Sequence, residues 1–136
     1  MEKKNIDWSS IGFAYMPTDY RYVSNFKDGK WDEGTLSTDP NIVLNECAGV
    51  LQYSQSVFEG LKAYTTEDGH IVTFRPDLNA ERMAASAARL EMPVFPKERF
   101  IDAVEQVVKA NAAWVPPYGS GATLYLRPYM FGSNAV

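Results

Sequence analysis

Two Asp-Gly pairs, Asp28-Gly29 and Asp68-Gly69, each stand between segments rich in aromatic and β-branched residues. Asp-Gly is a strong hairpin signal, because a two-residue turn between strands needs positive φ at both of its positions. Much of the chain is therefore committed to local antiparallel pairing. The first hairpin is expected over residues 20–36, outward through Tyr20–Phe26 and back from Lys30-Trp31. The second runs out along Val57–Thr65 and returns along His70–Phe74. Between them Asp39-Pro40 breaks the chain, ahead of an expected short strand at Ile42–Leu44 and a turn or short helix around Cys47–Leu51.

Prolines punctuate the second half. Pro76 suits the first position of a helix, with Asp77 and Glu81 near its positive end. Met83, Ala87 and Leu90 follow at helical spacing, and Pro93 stops the element. Pro96 opens a second helix, in which Phe100, Val104, Val107 and Trp114 keep the 3.6-residue period until Pro116-Pro117. Thr123–Met130 reads as a final strand, with Leu124 and Leu126 on one face. Hairpins, two consecutive helices and a return strand give an α+β class: an antiparallel sheet with helices packed on one face, a two-layer sandwich. The chain stops at Gly132-Ser-Asn-Ala-Val136, straight after a strand, which reads as a truncation.

Composition removes several function classes. The formal net charge is -4 and the 13 Lys and Arg residues are scattered, so neither nucleic acid nor an anionic membrane is an expected partner. No apolar run approaches the roughly 20 residues of a membrane span. Charged residues, not a secretory apolar run, follow Met1, and the cytoplasm is the expected compartment. One cysteine, Cys47, and one histidine, His70, are too few for an ordinary protein-built zinc site, and no metal is expected. An electrophile would have to come from a bound cofactor or another chain.

Three places could carry chemistry. In Leu124-Tyr-Leu-Arg-Pro128 the alternation of a strand puts Tyr125 and Arg127 on one face, about 7 Å apart. A guanidinium beside a phenol is a plausible carboxylate receptor, although a solvated sheet face has the same pattern. In Val57–Tyr64, Phe58, Gly60, Lys62 and Tyr64 point one way, and Gly60 in mid-strand suggests a bulge or the close approach of another group. Lys62 is the lysine best placed to form a Schiff base if this chain had to supply one, but a strand lysine is ordinarily solvated. Arg82, in the first turns of the Pro76 helix, could meet a phosphate there or be an ordinary surface arginine. Glu59, Asp77 and Glu81 read as solvated or capping residues.

Tyr53-Ser-Gln-Ser-Val-Phe-Glu-Gly-Leu-Lys-Ala-Tyr64, Phe74-Arg-Pro-Asp-Leu-Asn-Ala-Glu-Arg-Met83 and Leu124-Tyr-Leu-Arg-Pro128, in this order and spacing, closely resemble the motifs of branched-chain amino-acid aminotransferases. Those are fold-type-IV enzymes dependent on pyridoxal 5'-phosphate. The likeness runs from roughly Gly34 to Phe131 and implies that residues 1–136 are the N-terminal small domain of such an enzyme, the C-terminal domain with the cofactor lysine being absent. By this resemblance Arg82 contacts the cofactor phosphate, and Phe58 and Tyr125 line the pocket for the substrate side chain. Arg127 serves the distal carboxylate of glutamate or 2-oxoglutarate, and Tyr53 reaches the active site of a neighbouring subunit. Lys62 matches a lysine that is not the Schiff-base residue, so no catalytic residue is expected in this chain. Arg75 receives no ligand role. The implied activity is amino transfer between leucine, isoleucine or valine and 2-oxoglutarate, in a homodimer, with the segment alone inactive. The alternatives are a D-amino-acid transaminase or aminodeoxychorismate-lyase-like relative, and a catalytically silent dimerisation or binding module.

Overall fold

The computed structural model describes residues 2–136. A single 3₁₀ turn, Trp8–Ser10, precedes β1 (Arg21–Val23), β2 (Phe26–Lys27), β3 (Lys30–Trp31) and β4 (Thr35–Ser37). Strands β2 and β3 close the first Asp-Gly hairpin with φ of 54° at Asp28 and 81° at Gly29, the mirror-image turn that the sequence requires. The same hairpin continues outward as β1 against β4, in register Tyr22↔Leu36. The expected strand at Ile42–Leu44 does not form. Val43 is 96% exposed there, and a short apolar run with no strand beside it has no ladder to join. Helix α1 (Gly49–Tyr53) follows, shifted two residues from the sequence estimate.

The long outgoing strand divides into β5 (Ser56–Phe58) and β6 (Leu61–Thr65), with β7 (Ile71–Thr73) returning on β6. Here the Asp-Gly pair works differently. Only Gly69 has positive φ, 89°, and the turn spans Thr66 to Gly69, with the Thr66 N–H bonded to the His70 carbonyl. After the helices the last expected strand also divides, into β8 (Leu124–Leu126) and β9 (Tyr129–Phe131). Pro128 has no N–H and cannot sit inside a continuous ladder. The two broken strands run side by side: β8 pairs with β6, Leu126 opposite Leu61, and β9 pairs with β5, Tyr129 opposite Phe58. The Glu59 N–H, bonded to the Pro128 carbonyl at 2.8 Å, bridges the step.

Helices α2 (Pro76–Arg89) and α3 (Lys97–Ala110) cover one side. Ala80, Met83 and Ala87 of α2 and Phe100, Val104 and Val108 of α3 meet Val57, Leu61, Ala63, Leu126 and Met130 of the strands in one core. The α+β, two-layer expectation holds, though the sheet layer is several short antiparallel pieces. Leu90 departs from its helical stripe. The chain turns left-handed at Glu91 (φ 56°), the Met92 N–H bonds back to the Ala87 carbonyl at 2.8 Å, and Met92 is buried while Leu90 is 46% exposed. Pro76 stands at the first helical position as expected. Its N-cap is Arg75, itself left-handed at φ 47°, whose guanidinium grips Asp77 with bonds of 3.0 and 2.9 Å. Those bonds hold the Asp77 carboxyl down to about 2. No helix among the described residues is long and apolar enough to cross a membrane.

Candidate functional site

The break between β5 and β6 is where the candidate residues gather. Strand alternation buries Val57, Glu59, Leu61 and Ala63 on the helix side and leaves Phe58 and Lys62 exposed on the other. Tyr125, opposite Lys62 in the ladder, shares the outer face. Its ring lies directly over Gly60, where a Cβ would collide with the phenol. The mid-strand glycine is thus explained by close approach, of an aromatic ring in this case.

Arg127 completes the outer cluster. Its Nε donates to the Tyr125 hydroxyl at 3.2 Å, and its guanidinium sits 4.8 Å from the Phe58 ring centre and 5.2 Å from that of Tyr125. Two aromatic faces therefore hold a cation by its apolar plane while its N–H edge stays in solvent. The structure thus brings Phe58, Tyr125 and Arg127 together, as the sequence led one to expect. It adds Phe13, whose ring meets Tyr125 edge-on at 5.3 Å. That residue lies in the segment before Gly34, for which the motifs gave no signal. Tyr53, the last residue of α1, is 75% exposed and joins none of these contacts.

Arg82 approaches the same step from the helix side. Its Nε and Nη2 bind the Glu59 carboxylate at 2.6–3.0 Å. Asn79, one turn earlier on α2, donates to Glu59 Oε1 at 2.9 Å and to the Gly60 carbonyl at 3.2 Å. Glu59 is 4% exposed, which corrects its reading as a solvated residue. Burial pushes its carboxyl up, but hydrogen bonds from Arg82 and Asn79, with the Arg82 charge, outweigh that and hold it below its ordinary value. The Arg82 guanidinium is held charged by the same bonds.

Arg82 and the Phe58–Tyr125–Arg127 cluster thus meet at the same break in the strand, Arg82 through its bonds to Glu59 and Tyr125 through its contact with Gly60. Asn79 and Tyr125 border a common shallow hollow of about 240 Å³, with Gly60, Lys62, Tyr64 and Phe74. Lys62 is exposed on this face. A larger hollow lies within the N-terminal segment, between Ile6 and Pro17, and includes none of the candidate residues. Chemically, the arrangement offers two cationic sites with free N–H edges and a set of aromatic rings between solvent and the sheet.

No family model matches the chain. Curated relatives do, across almost all of it. The branched-chain-amino-acid aminotransferase of Haemophilus influenzae is 55% identical over 129 residues, which is 95% of this chain and 38% of that protein. The Helicobacter pylori enzyme of the same name is 45% identical over the same shares. The methionine aminotransferase BCAT4 of Arabidopsis thaliana is 47% identical over 97% of this chain and 37% of its own length. The chain therefore spans less than two-fifths of these relatives, in their N-terminal part.

Among solved structures, the T.th. branched-chain amino acid aminotransferase complexed with N-(5'-phosphopyridoxyl)-L-glutamate superposes with a TM-score of 0.66 at 25% identity, over 90% of this chain and 36% of that one. The Escherichia coli branched-chain amino acid aminotransferase, at 24% identity and a TM-score of 0.63 over 86% of this chain and 34% of that one, attests the fold alone. The two-layer architecture is that of the fold-type-IV enzymes. By sequence and by fold, this chain corresponds to the N-terminal part of the branched-chain-amino-acid aminotransferases.

Proposed function

We propose that residues 1–136 are the small domain of a pyridoxal-phosphate-dependent transaminase, which exchanges an amino group between branched-chain L-amino acids and 2-oxoglutarate as a homodimer. In this reading the missing catalytic lysine belongs to a second domain, and the cytoplasm is the compartment. When bound, the cofactor supplies the electron sink on which amino exchange depends; the protein supplies position and charge. The residues here fit such a group. Arg82 keeps guanidinium N–H groups free on its outer edge, the donor arrangement that suits a phosphate. Tyr53, at the exposed end of α1, is assigned to a neighbouring subunit's site, in keeping with its exposure.

The observation that carries the proposal is the stacking of Arg127 over Phe58 and Tyr125. A transaminase of this kind must accept an aliphatic side chain and a glutamate carboxylate in one place. An unpaired carboxylate would be costly to enclose. Here the aliphatic chain packs on Phe58 and Tyr125, while the longer acidic chain extends past them to the Arg127 edge. A methionine aminotransferase is among the relatives, 47% identical over this segment, so likeness at this level accompanies more than one substrate name.

In the complete enzyme, Arg127→Ala should lower kcat/KM for glutamate by about 10- to 100-fold, the worth of a charge-assisted hydrogen bond, and leave leucine within about threefold. Equal losses for the two substrates would refute the role given to Arg127.

A further inference from the structure

The buried carboxylate of Glu59 has no part in the chemistry above. It is nevertheless the most fully engaged polar side chain near the site. It lies 4% exposed beneath a partner that is itself 68% exposed, so the pair is a charge anchored in the core holding another at the rim. A guanidinium has five N–H donors. Arg82 turns its Nε side and part of Nη2 toward Glu59, leaving the Nη1 edge outward. Asn79 ties the same carboxylate to the Gly60 carbonyl, directly under the Tyr125 ring.

We propose that Glu59 is a positioning residue, which fixes the Arg82 guanidinium with its outer edge toward the cofactor phosphate. This rests on the reading of Arg82 as the phosphate contact. Two effects of the carboxylate oppose each other. Its charge cancels part of the pull that Arg82 exerts on a phosphate. Its hydrogen bonds also remove side-chain freedom that a loose arginine would otherwise lose on binding. The carboxylate lies on the Nε and Nη2 side of Arg82, so its repulsion reaches a phosphate on the outer edge only at longer range than the guanidinium's attraction, whereas the ordering acts in full. Orientation therefore wins, and loss of Glu59 weakens phosphate binding although it removes a negative charge.

The test compares dissociation constants for pyridoxal phosphate and for pyridoxal, its phosphate-free form, by absorbance titration of the complete enzyme and its Arg82→Ala, Glu59→Gln and Glu59→Asp variants. Glu59→Gln keeps the shape without the charge. Glu59→Asp keeps the charge on a side chain too short for the two-pronged grip, and carries the test if the Gln variant does not fold. Both should bind pyridoxal phosphate about tenfold more weakly, a loss matching the ordering of one long side chain, with pyridoxal unchanged. Wild-type or tighter binding of pyridoxal phosphate by a folded Glu59 variant, with Arg82→Ala still weakened, would overturn the positioning role alone. Equal losses for the two ligands would overturn it as well, since a merely structural role acts on both. Wild-type binding of pyridoxal phosphate by Arg82→Ala would instead overturn the phosphate reading of Arg82.

Discussion

At the scale of single residues, direction matters more than identity. The motif containing Arg82 is legible in the sequence, and strand alternation alone gives the shared face of Tyr125 and Arg127; Phe58, on another strand, joins them by the family resemblance and, in the structure, by strand pairing. Glu59 was legible too, though by a signal easily passed over. If Phe58, Gly60 and Lys62 point outward, the glutamate between them must point into the core, and Asn79 and Arg82, three apart on a helix, are the spacing that can meet it. The general expectation that carboxylates are solvated conceals this. The consequence is measurable. The Glu59 carboxyl is held below its ordinary value of 4.5, so the unfolded chain takes up a proton that the folded one resists. The stability this supplies is complete above that value and is lost as pH falls through the lowered one. Chemical denaturation across pH 3–6 should accordingly show a shallower acid-side decline for Glu59→Gln than for the parent chain; an unchanged slope would mean the pair contributes nothing.

At the scale of elements, what the sequence conveys well is the first hairpin turn and the starts of the two long helices; it conveys poorly where a strand breaks and where the second of those helices ends, at Ala110, with Trp114 in a separate 3₁₀ turn. Asp28-Gly29 and Pro76 place their elements as expected, because each demands a particular backbone conformation. The strand through Arg127-Pro128 is interrupted because proline cannot donate to the ladder, a cue present in the sequence. Its partner break at Glu59-Gly60 is not visible until the two strands are paired. Ile42–Leu44 has strand composition and no neighbour to pair with, a tertiary fact beyond local pattern. The end of α2 carries its own test. Glu91 adopts φ 56°, a conformation that costs an ordinary residue about 1–2 kcal/mol and glycine nearly nothing. After allowance for glycine's freedom in the unfolded chain, Glu91→Gly should stabilise the protein by about 0.5–1 kcal/mol in equilibrium denaturation. A loss of stability would show that the side chain makes a contact worth more than the strain.

At the scale of the whole molecule, the outer face of the β5–β9 pair is aromatic and exposed. Phe58 and Tyr129 are cross-strand partners, 60% and 51% exposed, and Tyr129 stacks on Phe131 at 5.7 Å. A contiguous apolar face of this kind marks a surface that another body covers. In the proposed enzyme that body is the second domain or subunit. The 136-residue chain by itself should therefore self-associate in sedimentation velocity as its concentration rises, and Phe58→Lys should reduce the association. A chain that stays monomeric throughout would oppose this view of the face.

The central claim is spatial: one cation of this chain, held by Glu59, meets the cofactor phosphate, and another, held against Phe58 and Tyr125, meets the distal acid group. A crystal structure of the complete enzyme with N-(5'-phosphopyridoxyl)-L-glutamate, the conjugate complexed with the T.th. relative, measures both contacts at once. The account predicts phosphate oxygens within hydrogen-bond distance of the free edge of Arg82, and the side-chain carboxylate of the glutamyl portion on Arg127. A conjugate whose phosphate is held by other residues, with Arg82 turned from it, would contradict the account.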